Sequence, residues 1–476
     1  MEKLEHSLQA SDQDAVSIRH IPADVLRLVF SEYVDIPGNA QSLLRATNLT
    51  MVCHTWRAIA LDTAELWTEI KLFLNQYLPP LSAISTVLAL SRRQPIDIYL
   101  RIDGHSRRPG HAYWCKVIEL VWEHQERWRS FDLDYFYDPH RSEGMDLKLQ
   151  GTLPYLRFLQ CNFQSDGITG GDHEISISVH NFVAPRVHDL TLGRYVNRIF
   201  TPTDLSHSFL SLESLLLDSP HHRRESRVEI LRALAHLPKL QVLQLVSDGG
   251  GDSPTTQFDP SSPICLSSLR EFTITSSGKS AITEWLAIFR APSLMTIAIS
   301  SCSKVGTRGI GTFNVRFPSL RTMYFDIRYQ IEPIIGYAEL SRYAPVIEFE
   351  IGGDWNLMYL MRILRQKQNG TYLYPSLYRL EIHSSLHLGQ YPIDNASIEA
   401  LCNFVKTRSW MRARRKHGNI DTFGATLREV HIRISGDMTQ SLREWFERNL
   451  VSFTCSSTIL QDLQMDSVRL VNGEEE

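Results

Sequence analysis

Three kinds of feature are missing from this 476-residue chain, and each absence removes a class of protein. The seven cysteines, at 53, 115, 161, 265, 302, 402 and 455, form no C-x-x-C pair, and an odd number makes a poor disulfide framework. Reduced, mostly buried thiols are expected. No run of about 18 apolar residues occurs, and the leading MEKLEHSLQASDQDAVS is polar and acid-rich without the apolar stretch of a signal sequence. A soluble protein of the cytoplasm or nucleus is expected. Excess positive charge is missing too: 49 Lys and Arg stand against 53 Asp and Glu, a net charge of -4. Such a balance supplies no field for a phosphate backbone or an anionic membrane, so neither nucleic acid nor membrane is expected as a partner.

Signatures of catalysis are equally scarce. Neither G-x-S-x-G nor H-E-x-x-H occurs. SSGKS at Ser276 to Ser280 has the tail of a phosphate-binding loop, but Thr273 occupies the required first glycine position. GGGD at Gly249 to Asp252 sits in a polar insertion that reads as a loop. Cys53-His54 would need two further metal ligands, and none stands at finger-like spacing. A nucleophilic Cys53 is disfavoured because its place on an apolar stripe beside Trp56 would bury the thiol and raise its pKa. His221-His222-Arg223-Arg224 and Arg412 to Lys416 read as solvated basic faces. No catalytic residue, cofactor or metal is expected, and the chain is not read as an enzyme.

What the chain has is apolar material, 43% of its residues, enough for a large core and more than one structural unit. From about residue 150 one pattern recurs: apolar, two variable, apolar, one variable, apolar, as in the LQVLQL of LPKLQVLQL. Its first positions are Leu156, Val187, Leu212, Leu240, Leu269, Leu294, Leu320, Val346, Leu377 and Leu427. The spacings run from 25 to 31 residues before a last gap of 50, which implies an insertion or an unrecognised unit. Pro154, Pro185, Pro238, Pro292, Pro318 and Pro375 each stand two residues ahead of the pattern, where proline fixes the backbone and ends the preceding element. Between the patterns lie stretches with apolar residues at three and four, such as RVEILRALAHL, SAITEWLAIF, NLMYLMRILRQ and SIEALCNFVKTRSWMRARR. LSAISTVLALSRR before PIDIYLRI, and AYWCKVIELVWEHQERW before SFDLDYF, extend the array, giving ten to twelve units of one helix and one strand each. Strand alternation turns the third, fifth and seventh positions to an open face. In the middle units these are small or neutral, apart from Glu271. In later units they are Tyr324 and Asp326, Glu348 and Glu350, Arg379, Glu381 and His383, then Glu429, His431 and Arg433. That charged end is the candidate target-binding surface; ordinary solvated strand residues are the alternative.

Near the amino terminus, Leu49, Val52, Cys53, Trp56, Ile59 and Ala60 fall on one helical stripe. In IPADVLRLVFSEYV, Pro22 opens a helix with Asp24 in its first turn, followed by Val25, Leu26, Val29, Phe30 and Tyr33. Asp62-Thr-Ala-Glu65 has capping-box spacing ahead of Leu66 and Trp67, which predicts a short third helix. Three helices of this size hide too little of their apolar surface alone, so a partner or the neighbouring repeats must cover the surplus.

Ile21-Pro22 with Val25, Leu26, Val29 and Phe30, then Leu44, Val52-Cys53-x-x-Trp56, Ile59-Ala60 and Leu66-Trp67, resembles the F-box. The resemblance covers residues 18–70; Ile21 stands where leucine is usual, and DIPGNAQSLLRATN lengthens the link between the first two helices. SRRQPIDIYL, Arg127-Trp128 and the loose P-x-L-x-x-L-x-L units look like F-box proteins of mushroom-forming fungi. The 20-to-30-residue period resembles leucine-rich repeats, although the consensus asparagine or cysteine is mostly missing. The resemblance implies an α/β fold: a three-helix F-box, then a leucine-rich-repeat-like horseshoe with a parallel sheet. It also implies a divided chain: a tail (1–17), the F-box (18–70), a linker with irregular first units (71–150), the repeat domain (151–465) and an acidic tail (466–476). The implied role is that of substrate-recognition subunit in a Skp-cullin-F-box ubiquitin ligase. A Skp-type adaptor, itself attached to a cullin, would dock on Ile21, Pro22, Val25, Leu26, Val29, Phe30, Leu44, Val52 and Trp56, while the repeats hold a protein target. Which of these residues face the adaptor and which the core stays open. Two alternatives remain: a repeat scaffold whose first helices only cap the array, and a parallel β-helix enzyme, which would lack the intervening helices.

Overall fold

The computed structural model describes residues 21–34, 42–73, 79–103, 111–137, 146–165, 176–193, 208–218, 227–247, 263–276, 285–286, 288–301, 313–327, 344, 346–351, 354–368, 371–372, 374, 377–384, 395–408, 427–434 and 439–457. Gly249 to Asp252, His221 to Arg224, Arg412 to Lys416, both expected tails and Pro375 lie outside them, as does SSGKS after Ser276. The chain is α/β and divides into two compact units, 1–199 and 200–476.

The first unit opens with α1 (Ala23–Val34), α2 (Ser42–Val52), α3 (His54–Asp62) and a 3-10 turn, Ala64–Trp67. It continues through β1 (Glu69–Phe73), α4 (Leu81–Leu90), β2 (Ile96–Asp103), α5 (His111–Trp122), β3 (Trp128–Tyr137), β4 (Phe158–Ser165) and β5 (Asp189–Leu192). These strands pair in parallel in chain order. Ile98, Leu100, Phe131, Leu133, Leu159, Cys161, Leu190 and Leu192 alternate into the core. β1 starts at Glu69, so the 70/71 boundary falls inside a strand.

In the second unit the parallel strands are β6 (Ser214–Asp218), β7 (Val242–Ser247), β8 (Glu271–Ser276), β9 (Thr296–Ser301), β10 (Thr322–Ile327), β11 (Val346–Ile351), β12 (Arg379–Ser384), β13 (Glu429–Ile434) and β14 (Ser452–Ser457). Leu243, Phe272, Ile297, Met323, Ile347, Leu380 and Val430 form one buried row in register, and Leu245, Ile274, Ile299, Phe325, Phe349, Ile382 and Ile432 a second. Helices α6 (Arg227–Leu234), α7 (Phe313–Arg316), α8 (Asp354–Leu364), α9 (Asn395–Arg408) and α10 (Gln440–Asn449) lie between strands.

The proline register has a local cause. The N–H groups of Leu156, Val187, Leu294 and Leu320 donate to Leu153, Ala184, Ala291 and Phe317 three residues back, closing tight turns with proline second. That position suits the fixed φ of proline and needs no N–H. Leu212, Leu269 and Leu377 close the same turn onto Phe209, Leu266 and Tyr374. The residue opening each of these turns is buried, so each of these units carries one more core position than the pattern assigned.

Four expectations are corrected, and the two alternatives for the 50-residue gap are resolved. Val346 is half-buried, and Ala344 aligns with Leu320 and Leu377 as the true first position, because β11 pairs Val346 with Thr322 and Arg379. The 50-residue gap holds no missed main strand among the described residues: β12 pairs directly with β13, and α9 fills part of an insertion. β1 and β14 lie beyond the expected strands and bring the main strands among the described residues to fourteen; in β14 only Phe453 and Cys455 supply the apolar alternation. One helix per strand fails where Asp146–Thr152 pairs in parallel with Ser176–Val183, and Ile264–Cys265 with Phe289–Arg290. In the first of these pairs the register slips at Gly151, whose φ of 78° is open to glycine at little cost. Among the described cysteines only Cys161 is buried; Cys53 and Cys265 are exposed, against the expectation of mostly buried thiols.

Candidate functional site

Pro22 accepts the Leu26 N–H at 3.1 Å, and Asp24 in the first turn of α1 pairs with Arg27 at 2.9 Å. Leu26, Phe30 and Val34, four residues apart, face inward. Phe30 is fully buried, its ring centroid 4.9 Å from that of half-buried Trp56. Leu26 and Phe30 are therefore core residues and not adaptor anchors, a correction that comes from their shared face. The opposite face exposes Val25, Leu28, Val29 and Tyr33. On α2, Ala46 and Leu49 point inward, while Leu44, Met51 and Val52 point out, Met51 with 72% of its surface exposed. Of the proposed anchors, Pro22, Val25, Val29, Leu44 and Val52 are exposed, and Ile21 and Trp56 half-buried. Leu28 and Met51 are additional exposed residues that the family pattern omits, although the same periodicity contains them.

The stripe from Leu49 to Ala60 is not one helix. Cys53 leaves helical geometry at φ -158° and ψ 170°, and its exposed sulfur accepts the Trp56 N–H at 3.4 Å as the N-cap of α3. The expected burial of this thiol does not occur. The capping box is overturned as well: Thr63 precedes the 3-10 turn without a side-chain cap, and Asp62 turns outward to Arg92 at 2.7 Å and Arg27 at 3.0 Å. Those guanidiniums, Arg92 foremost, hold the Asp62 carboxyl below its ordinary pKa.

The three helices are tied to the first strand unit. Trp67 Nε1 donates to Ala60 O at 2.8 Å, and Gln94 reaches Glu65 at 3.4 Å. Arg92 takes a left-handed φ of 52° just after α4. Arg127, nearly buried, donates to Gln94 O at 3.1 Å, to Ser91 Oγ at 2.5 Å and to Leu88 O at 3.5 Å, satisfying carbonyls at the α4 terminus.

On the open face of the later units, register brings Tyr324, Glu348, Glu381 and His431 into one row. Arg379 bonds Glu381, and its Nε lies 3.8 Å from Glu429. Tyr378 donates to Glu429 at 3.0 Å, His431 Nε2 stands 3.7 Å from Glu429, and His431 Nδ1 meets Thr454. Asp326, expected on the open surface, is buried and accepts a hydrogen bond from Ser300 at 3.0 Å. The side chains of Glu350, His383 and Arg433 lie outside the described residues. The Arg379 guanidinium is thus engaged with the Glu381 and Glu429 carboxylates, although Arg379 Nε and His431 Nε2 are buried without a hydrogen bond.

The first unit has an acidic pair that the repeat pattern does not single out. Asp132 and Asp134 share one face of β3, with Tyr99 and Arg101 beside them on β2 and Gln160 and Asn162 on β4. Asn162 donates to Asp134 at 3.2 Å, whereas Asp132 Oδ1 is buried without a hydrogen bond. Burial, then the neighbouring Asp134 charge, pushes the Asp132 pKa up to about 6. Burial also raises Asp134, with Arg101 and Asn162 opposing.

Among the described residues no group of three or more His, Cys, Asp or Glu could hold a metal ion, and no helix is long and apolar enough to cross a membrane. No family model matches the chain, and no curated protein shows significant similarity to it.

Proposed function

We propose that this chain is the substrate-recognition subunit of a Skp-cullin-F-box ubiquitin ligase, with α1 to α3 as the F-box and the strand-helix units as leucine-rich-repeat-like modules that hold the target. The observation that carries this reading is the apolar surplus on two helices: Val25, Leu28 and Val29 on α1, and Leu44, Met51 and Val52 on α2, all exposed while their opposite faces fill the core. Such stripes suit helix-to-helix docking by a second polypeptide. The parallel strands turn a broad polar face outward, which gives a target room to bind along the array.

The test is co-expression with a Skp-type adaptor. Wild type should co-purify, and V29E/M51E should lose the complex with its circular dichroism unchanged, since neither side chain is in the core. Failure of wild type to co-purify would overturn the reading.

A second reading, a repeat scaffold without a ligase role, is favoured by the contacts that tie α1 to α3 to the first strand unit through Asp62, Arg92 and Trp67. On that reading the helices only cap the array, and V29E/M51E would abolish no association.

A further inference from the structure

In the first unit, the strand positions that alternate with the core residues line up by register into rows on the open face. Lys71, Tyr99, Asp132, Gln160 and Thr191 make one row, and Arg101, Asp134 and Asn162 belong to the next. The carboxylates here are matched, with one exception. Among the described side chains of β1 to β4, Glu69 pairs with Lys71, Asp97 with Arg129 and Ser130, and Asp134 with Arg101 and Asn162. Asp132 pairs with nothing.

That isolation has a cost. Asp132 Oδ1 is shut off from solvent without a hydrogen bond, and burial and the Asp134 charge, opposed by no cation, push the carboxyl pKa up to about 6. At neutral pH the group is therefore mostly ionised and poorly solvated, a state that an arriving cation would relieve. The residue as a whole is only half-buried, so with Oδ1 closed a cation must reach Oδ2 from the open face.

The neighbours discriminate between cations. Tyr99 and Gln160 flank Asp132 one strand to either side, about 5 Å away, and each carries an oxygen acceptor. A single reachable carboxylate oxygen cannot take the two-pronged bond of a guanidinium, whereas an ammonium is a compact charge with three rotatable donors. The row already holds one ammonium beside an aromatic ring, since Lys71 Nζ lies 5.3 Å from the Tyr99 ring centroid.

We propose that the open face of the first unit binds a lysine side chain of the target protein, its ammonium resting on Asp132 Oδ2 beside Tyr99 and Gln160. That the lysine belongs to a target rests on the substrate-receptor reading; the charge match rests on this row alone. Binding holds Asp132 ionised, so affinity is full above about pH 7 and falls as pH drops through about 6. The charged and titratable groups around Asp132 are Asp134 on its own strand, Tyr99 and Arg101 on β2, and the buried Cys161 on β4, with Lys71 and Glu69 beyond Tyr99.

The test uses the full chain against immobilised peptide libraries centred on lysine, acetyl-lysine or arginine, with randomised flanks free of His, Asp and Glu. The lysine library should retain at least fivefold more wild-type protein than the acetyl-lysine library, and more than the arginine library. Its retention should fall about tenfold between pH 7 and pH 5. D132N should abolish the preference with unchanged circular dichroism, while E447Q, which removes the same charge from an exposed site on α10, should keep it. Equal retention of wild type on lysine and acetyl-lysine, no retention on either, or a preference surviving in D132N would overturn the proposal. So would loss of the preference in E447Q, stronger retention on arginine, or retention unchanged or rising at pH 5. Adaptor co-purification, measured in parallel, is expected to be the same for D132N and wild type. A chain that binds the adaptor without preferring lysine sinks this inference alone, and one that prefers lysine without binding the adaptor sinks the ligase reading alone.

Discussion

Among single residues, Phe30 and Asp132 show how position decides what a side chain does. Phe30 belongs to the pattern that resembles an adaptor-binding helix, yet it is fully buried against Trp56. Phe30→Ala should cost about 3–5 kcal/mol in stability, measured by urea denaturation, and any loss of adaptor binding would stem from that unfolding. Asp132 acts through pH. Its folded pKa lies above that of an unfolded aspartate, so between about pH 4 and pH 6 the folded state binds more protons, and stability falls as pH rises through about 6. Asp132→Asn should raise the urea midpoint at pH 7 and flatten its dependence across that window; a lower midpoint for the variant would refute the account. Neither behaviour is visible in composition. Both depend on which neighbours share a face.

Whole elements make the sharper claim about partners. α1 and α2 each bury one stripe and expose another. Leu28→Glu alone should weaken adaptor association at least tenfold while leaving the melting temperature within a degree or two, because an exposed position away from special features costs within about 0.5 kcal/mol. Leu26→Glu, on the inward face, should instead unfold the helices. The contrast between the two variants, read by co-purification and circular dichroism, separates docking from packing. Turns are the other informative element. The periodic pattern predicts a helix in every interval between strands, but Asp146–Thr152 and Ser176–Val183 solve the same problem with a second short parallel pair.

For the molecule taken whole, stability within each unit is passed from neighbour to neighbour. Each strand bonds only to adjacent strands, and each buried row runs through consecutive units. Phe349→Ala on β11 should therefore raise amide hydrogen exchange most in β10, β11 and β12, with β7 and β8 little changed. A uniform rise across the second unit would show that its rows melt as one block. The same nearest-neighbour logic explains why α1 to α3 are not free-standing: Trp67, Asp62 and Glu65 are bonded to α3, Arg92 and Gln94, so the helices close the first strand unit as well as exposing their own stripes.

The α/β class, the strand positions from Leu156 to Leu427 with one register error, and the helical nature of α1 were legible in the order of the amino acids alone, because apolar periodicity and proline placement are local properties that the chain carries wherever it folds. Which apolar residues are core and which are surface was settled by packing: Leu26 and Phe30 lie inside, Leu28 and Met51 outside, and Cys53 at a break between helices. Packing also settled that Arg379 lies against the carboxylates of Glu381 and Glu429. The reason is that burial in the array, and contacts such as that of Arg379 with Glu429, are set by residues distant in the chain and brought alongside by the stacking of parallel strands.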